Sequence, residues 1–452
     1  MPTGNSVCST CASWKAKWLQ CRGVLLQHPY SAAAMLYFIS QAFPAVLRQH
    51  TEWTEVYVAA SRDLLTGRDF LAGPGGYLYP PFFTVLSIPF TLLPVVWSQF
   101  IWYAFSFFCL VFFVKRAWFL SGGGSLQGAA GEKQAKEHLI FLAGCLCSAR
   151  FLQNALSHTQ TDLLIAALII AGCFALLSGR NMLAATWIGF AAAFKCTPLL
   201  FAPYLAWKGK WIPAIWLVIF AVGLNFLPDL VHSSPSGGSW AALWFTRYLR
   251  PMTQSEYVPG SWHTAIVNNQ SISGAVNRLF TTRVESTHEG VEITTRESIL
   301  SLPALRYLTF LLYAVLLLVS WFAFRQREGD LLPDNPRREV LEYSTILLLM
   351  LLFSPNSSPA HFGVMLLPAF CIARVAVKEK NHALQVGLIA ATFFTLVSNN
   401  FPGLKPLHIL THWAGAVSIA AFILWVGCIC ALLRNGPQES ISYGCAEDSP
   451  GA

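Results

Sequence analysis

Residues 191–207 read AAAFKCTPLLFAPYLAW, an apolar run interrupted by Lys195, Pro198 and Pro203. With the preceding MLAATWIGF it forms a stretch from 182 to 207, longer than the ~20 residues a helix needs to cross a bilayer's hydrocarbon core. No water reaches backbone amides there, and a helix pairs each of them within its own segment. A lysine at the bilayer centre costs about 2.5–3.5 kcal/mol on the insertion scale, so Lys195 calls for a partner or a cavity. The plain alternative is that its ammonium snorkels to an interface, helped by a helix break at the two prolines.

Comparable runs recur on both sides. They lie near 31–47, 80–95, 97–114, 138–156, 161–178, 211–231, 303–325, 342–354, 361–377, 382–398 and 412–433, with ends set to within about four residues. The composition agrees: 55% of the 452 residues are hydrophobic and 12% are charged, half the share of charge usual in a soluble domain. A membrane β-barrel would show short alternating segments, which are absent. The sequence therefore predicts an all-α polytopic membrane protein of about twelve transmembrane helices. Residues 1–30 form a cytoplasmic N-terminal segment, 31–435 one membrane domain and 436–452 a tail, and the first apolar run reads as an anchor rather than a removed signal peptide. Gly122 to Lys136 reads as a flexible loop.

The net charge of +8 is spread over loops, as juxtamembrane Lys and Arg are in membrane proteins, so nucleic acid is not a partner. Five of the 12 cysteines (Cys145, Cys147, Cys173, Cys428, Cys430) lie in apolar runs and act as small hydrophobes. Cys8 and Cys11 form a CxxC with no second pair to complete a zinc site, and no metal is expected. Early basic residues (Lys15, Lys17, Arg22) place the N-terminus in the cytoplasm, with Lys208, Lys210, Arg325–Arg338, Lys378–Lys380 and Arg434 on the same side. Loops near 50–79 and 232–302 then face outward. Straight crossings throughout place Lys115, Arg116 and Arg180 outside, against the rule; a re-entrant segment among the short spans removes the conflict.

The outward loops concentrate residues suited to a sugar. The first holds Glu52, Glu55, Asp63 and Asp69, and the second holds Trp240, Trp244, Trp262, His263 and Asn268-Asn269-Gln270-Ser271. Aromatic faces pack on sugar C–H faces, while amides and carboxylates bind hydroxyls; an interfacial aromatic belt explains part of the tryptophans. His361 follows the proline-broken SPNSSPA at the start of an apolar run, where a histidine is interfacial or functional. Tyr79-Pro80-Pro81 opens the second span, a place where proline costs no helix hydrogen bond.

Five blocks, in order, resemble glycosyltransferase family 87, the polyprenol-phosphate-mannose-dependent α-mannosyltransferases of the GT-C fold. YLYPPFFTVLSIPFTLLP (77–94) is similar to the family's Tyr-Pro-Pro span, and HTQTDLL (158–164) to its Gly-Gln-x-Asn segment, with His158-Thr159 for the glycine and Asp162 for the asparagine. AAAFKCTPLLFAPYLAWKGKW (191–211) is similar to its Lys-x-x-Pro block, NQSISGAVNRLF (269–280) to its outer-loop block and SPNSSPAHFGVMLLP (354–368) to its Ser-Pro-to-His block. The family's catalytic aspartate precedes a Val-Tyr or Tyr-Tyr pair; here Val56-Tyr57 is present and the nearest carboxylates are Glu52 and Glu55.

The resemblance implies an enzyme of the plasma (inner) membrane, its site on the extracytoplasmic side. It would move a hexose, most naturally mannose, from a polyprenyl-phosphate donor to a lipid or glycan acceptor with inversion, and without a cofactor. Glu52 or Glu55 is the implied base, with Glu52 first because it stands five residues before Tyr57. Lys195, His361 and Arg278 are assigned to the leaving phosphate, Asn269 and Gln270 to sugar hydroxyls or phosphate, and Tyr79 to the substrate-binding set. Other classes to weigh are a transporter or lipid flippase, which often shows inverted repeats that this sequence lacks, and an inactive family member.

Overall fold

The structure, a computed structural model, describes residues 29–48, 50–72, 77–126, 131–253, 267–280, 286–288, 291–293, 299–325, 336–398, 403 and 405–434. Cys8, Cys11, Trp262 and His263 lie outside the described residues.

The apolar runs form helices, since only a helix pairs its own amides in hydrocarbon. In chain order these are α1 (Pro29–Leu47), α2 (Ala59–Leu65), α3 (Phe82–Leu86), α4 (Val95–Leu120), α5 (Glu132–Ser157), α6 (Asp162–Leu177), α7 (Asn181–Phe194) and α8 (Phe201–Trp207). They continue with α9 (Trp211–Leu224), α10 (Trp240–Trp244), α11 (Ile272–Phe280), α12 (Leu302–Arg325), α13 (Arg338–Phe353), α14 (Leu366–Lys378), α15 (His382–Val397), α16 (Lys405–Trp413) and α17 (Ala416–Leu433). Among the described residues the only strands are a short antiparallel hairpin, β1 (Ser286–His288) and β2 (Val291–Ile293).

Among the described residues, six helices are long and apolar enough to cross a membrane, and four apolar helices are shorter. The chain is a multi-pass membrane protein, and among the described residues two of the expected spans take another form. The 80–95 run is not a span: Pro89 and Pro94 limit it to the five-residue α3 and a 3₁₀ turn, Ile88–Leu92. The 182–207 run is cut at Lys195, whose backbone is extended, into α7, a 3₁₀ turn at Thr197–Leu200, and α8. The presumed loop 122–136 is already helical from Glu132.

Both ends of the 80–94 segment return to the same place. Leu78 accepts a hydrogen bond from Trp244, and Ser61 bonds Thr84 and Ser87. At the start of α4, Ser98 accepts from Trp53 and Gln99 donates to the carbonyl of Arg48. The segment starts and finishes at one end of the bundle, so α4 runs away from this end and carries Lys115 and Arg116 to the other. That other end holds Arg180, the Lys208–Glu342 pair, the Arg434–Glu379 pair and Glu137 between Arg374 and Lys378.

Small residues let the helices approach closely. A Cβ on Gly172 of α6 would lie 2.4 Å from Ile188 of α7, and one on Gly144 of α5 would lie 2.2 Å from Phe370 of α14. The core is centred on α13 and α14, which bury nearly all their residues.

Candidate functional site

Trp53 anchors the segment after α1. It is fully buried, stacks on Trp102 at 4.1 Å and donates to Ser98 Oγ at 2.8 Å. Residues 53–58 wind as a π-helical turn, so side chains three apart diverge more than they would on an α-helix. Glu52 and Glu55 therefore part company. Glu52 turns inward and accepts a 2.6 Å hydrogen bond from Gln160 Nε2, whereas Glu55 is exposed and pairs with His50 at 2.6 Å. Burial raises the pKa of the Glu52 carboxyl; the Gln160 hydrogen bond lowers it, nearby Asp162 raises it, and Lys195 lowers it.

Gln160 is held by the tight link between α5 and α6, where Trp102 donates to the carbonyl of Thr159. Thr159 adopts φ 54°, the left-handed region that favours glycine. Three residues after Thr159, Asp162 opens α6, a favourable place for a negative charge.

The break after α7 brings Lys195 to that carboxylate. Lys195 Nζ donates to Asp162 Oδ1 at 3.0 Å, both side chains are largely buried, and the ammonium lies 5.7 Å from the Tyr79 ring centre. His361, in the 3₁₀ turn Pro359–Met365, places Nε2 3.8 Å from the same oxygen, beyond direct hydrogen bonding. Tyr79 packs 5.5 Å from Tyr57, whose hydroxyl meets Thr161 at 3.3 Å. Asp162, Lys195, Thr197, Ser354, Ser357 and His361 line a cavity of about 20 Å³, room for one water, with apolar side chains completing its wall. Asp162 Oδ2 is buried without a hydrogen-bond partner.

The structure thus gathers Glu52, Tyr79, Lys195 and His361, and leaves Glu55 at the surface. Asn269, Gln270 and Arg278 are buried behind the site. Asn269 bonds Pro355 O and the Ser357 amide, and Gln270 bonds Ser357, Val267 and His412 through its main chain and side chain. Arg278 donates to the carbonyls of Trp413 and Asn269 at 2.7 Å each. Asn269 and Gln270 brace the 354–358 segment that lines the cavity, and Arg278 holds the carbonyl of Asn269 behind them. Trp240 is fully buried on Phe70, and Trp244 and the bidentate Arg247–Asp69 pair tie the 232–253 region to the first loop.

Asp162 and Gln160 were absent from the residues assigned a role from sequence. A signal existed: an intramembrane lysine needs a counter-charge, and HTQTDLL places an aspartate at the start of an apolar run. Among the described residues, no three His, Cys, Asp or Glu side chains converge as a metal site.

Residues 77–355, more than half of the chain, match the model of glycosyltransferase family 87. No curated protein matches the sequence. Among solved structures the chain is similar to ArnT from Cupriavidus metallidurans bound to undecaprenyl phosphate, with 11% identity, a TM-score of 0.40, and coverage of 90% of this chain and 77% of that one. The family match includes Tyr79, Gln160, Asp162 and Lys195; Glu52, Glu55 and His361 lie outside it. The chain belongs to glycosyltransferase family 87.

Proposed function

We propose that this family 87 member transfers a hexose, mannose in the first instance, from a polyprenyl-phosphate donor to an extracytoplasmic lipid or glycan acceptor, with inversion, in a GT-C architecture. The observation that carries the reading is the buried junction of Glu52 and Gln160 with Asp162, Lys195 and His361 at one end of the helical bundle. The opposite end bears the basic residues that flank the spans, and the Lys/Arg bias assigns it to the cytoplasm. The junction and its loops then face outward, in the plasma (inner) membrane.

Glu52 acts as base. The acceptor hydroxyl gives its proton to the Glu52 carboxylate while its oxygen bonds the anomeric carbon, and the bond from that carbon to the phosphate oxygen breaks. The lipid phosphate departs with the bonding electrons. General-base help of this kind supplies typically ~10²–10⁴-fold. Lys195 keeps two ammonium protons beyond its bond to Asp162 and offers them to the phosphate, where fixed charge lowers the barrier as negative charge develops. His361 stands beside it, and Tyr79 presents an aromatic face to the donor. Asn269, Gln270 and Arg278 position the 354–358 segment rather than touch the sugar.

A donor panel tests this. Protein reconstituted in nanodiscs is given polyprenyl-phosphate mannose, glucose or arabinose, and loss of lipid-linked sugar is read by mass spectrometry. Selective consumption of the mannose donor supports the proposal. Consumption of another sugar overturns the mannose assignment. No consumption of any donor points to transport or an inactive protein.

A further inference from the structure

A second cavity lies at the end of the bundle remote from Glu52. It occupies about 440 Å³ between α4, α6 and α7. Its walls are Phe112, Phe174, Leu183 and Trp187, and its mouth carries Arg116, Arg180 and Ser178. Sixteen residues of α6 separate Asp162 from Ser178, a rise of ~24 Å, so this cavity is distinct from the site above.

The cavity is divided chemically. Leu183 and Trp187 expose apolar surface, and the Arg116 guanidinium lies 4.7 Å from the Phe174 ring centre, its charge held at the boundary between ring and mouth. No carboxylate lines the cavity, and among the described residues neither arginine has an ion-pair partner. Arginine presents a planar fork of donors that matches phosphate oxygens, and Ser178 adds a hydroxyl. Two guanidiniums over an aromatic, aliphatic slot complement a phosphate headgroup bearing a hydrocarbon chain.

We propose that this cavity binds a bilayer phospholipid of net negative charge, with the headgroup phosphate on Arg116 and Arg180 and one acyl chain against Phe112, Phe174, Leu183 and Trp187. The ligand approaches from the leaflet at the basic end, where anionic headgroups and basic pockets between helices attract each other. This proposal is independent of the catalytic reading, because none of its residues touches Glu52, Asp162 or Lys195.

Native mass spectrometry of the full-length protein, released from detergent after incubation with equal phosphatidylglycerol and phosphatidylcholine of identical chains, tests it. Wild type retains phosphatidylglycerol in preference, and Arg116→Gln/Arg180→Gln lowers that preference by about tenfold or more. Arg116→Lys/Arg180→Lys keeps part of it, which shows that loss in the Gln pair is not misfolding. Lys115→Gln, a neighbouring charge outside the cavity, leaves it unchanged. The proposal is overturned if the Gln pair retains the wild-type preference, if Lys115→Gln removes as much, or if wild type shows no preference.

Discussion

Lys195 and Asp162 are 33 residues apart in sequence, and their side chains meet at 3.0 Å where two helices end: α6 starts with the carboxylate and α7 stops at the ammonium. The pair is largely buried and sits beside His361 and Tyr79. Removing one partner of such a pair strands a charge and typically costs about 3–5 kcal/mol, whereas removing both charges costs far less.

Stability and activity therefore separate at this pair. Lys195→Met is expected to lower the thermal midpoint markedly and to abolish transfer. Adding Asp162→Asn should restore most of the midpoint without restoring transfer, because the phosphate still lacks its ammonium. Lys195→Arg should keep part of both. Transfer at the wild-type rate in Lys195→Met would remove Lys195 from the mechanism.

The pH dependence follows from Glu52. Its pKa is raised by burial, and the Gln160 hydrogen bond opposes that rise. A base must be ionised, so activity is lost as pH falls through this raised pKa, at a higher pH than an ordinary glutamate near ~4.3 dictates. Gln160→Leu removes the opposing hydrogen bond and should move the acid limb of kcat/KM further upward. A downward shift would contradict the assignment of Glu52 as base.

Sidedness turns on whether residues 80–94 return to the side they leave or cross the membrane. In a cysteine-free background, Arg62→Cys and Ser236→Cys should react with an impermeant maleimide from outside intact cells. Lys115→Cys and Gly209→Cys should react only after permeabilisation. Labelling of Lys115→Cys from outside would mean that residues 80–94 cross the membrane, and the positions of all later helices would change with it.

How much of this was legible in the sequence depends on the range of the interaction. Apolar runs declare helices locally, and the ends of α6 and α15 fell close to their expected positions. Residues 80–94 were as apolar as a span, but Pro89 stands mid-run and α3 stops after five residues; whether such a segment crosses or returns is set by its contacts with Ser61 and Trp244. Lys195 announced a partner by its surroundings and Asp162 stood at the start of an apolar run, but their pairing is a contact between residues 33 apart that no local pattern fixes. Only the five-residue spacing to Tyr57 set Glu52 ahead of Glu55, and it is the π-helical turn that sends the two side chains apart. Asn269 and Arg278 have the chemistry for a ligand, and in the fold they also bond main-chain groups, a use that no local pattern announces.

Thr159 offers a stability test near the site. A β-branched residue at φ 54° costs about 1–2 kcal/mol relative to glycine, partly offset by glycine's greater freedom in the unfolded chain. Thr159→Gly is expected to raise the thermal midpoint slightly and leave the Trp102 contact intact, since that contact uses the Thr159 carbonyl. A lower midpoint would show that the threonine side chain contributes more than its backbone strain removes.

The most direct test compares turnover of polyprenyl-phosphate mannose by wild type, Glu52→Gln and Glu55→Gln in matched nanodiscs, with donor binding measured in parallel. Glutamine at 52 keeps the shape but cannot take the proton, so turnover should fall by roughly 10²-fold or more while donor binding persists. Glu55→Gln, altering an exposed carboxylate paired with His50, should stay near wild type. Wild-type turnover in Glu52→Gln, or a larger loss in Glu55→Gln, would contradict the account.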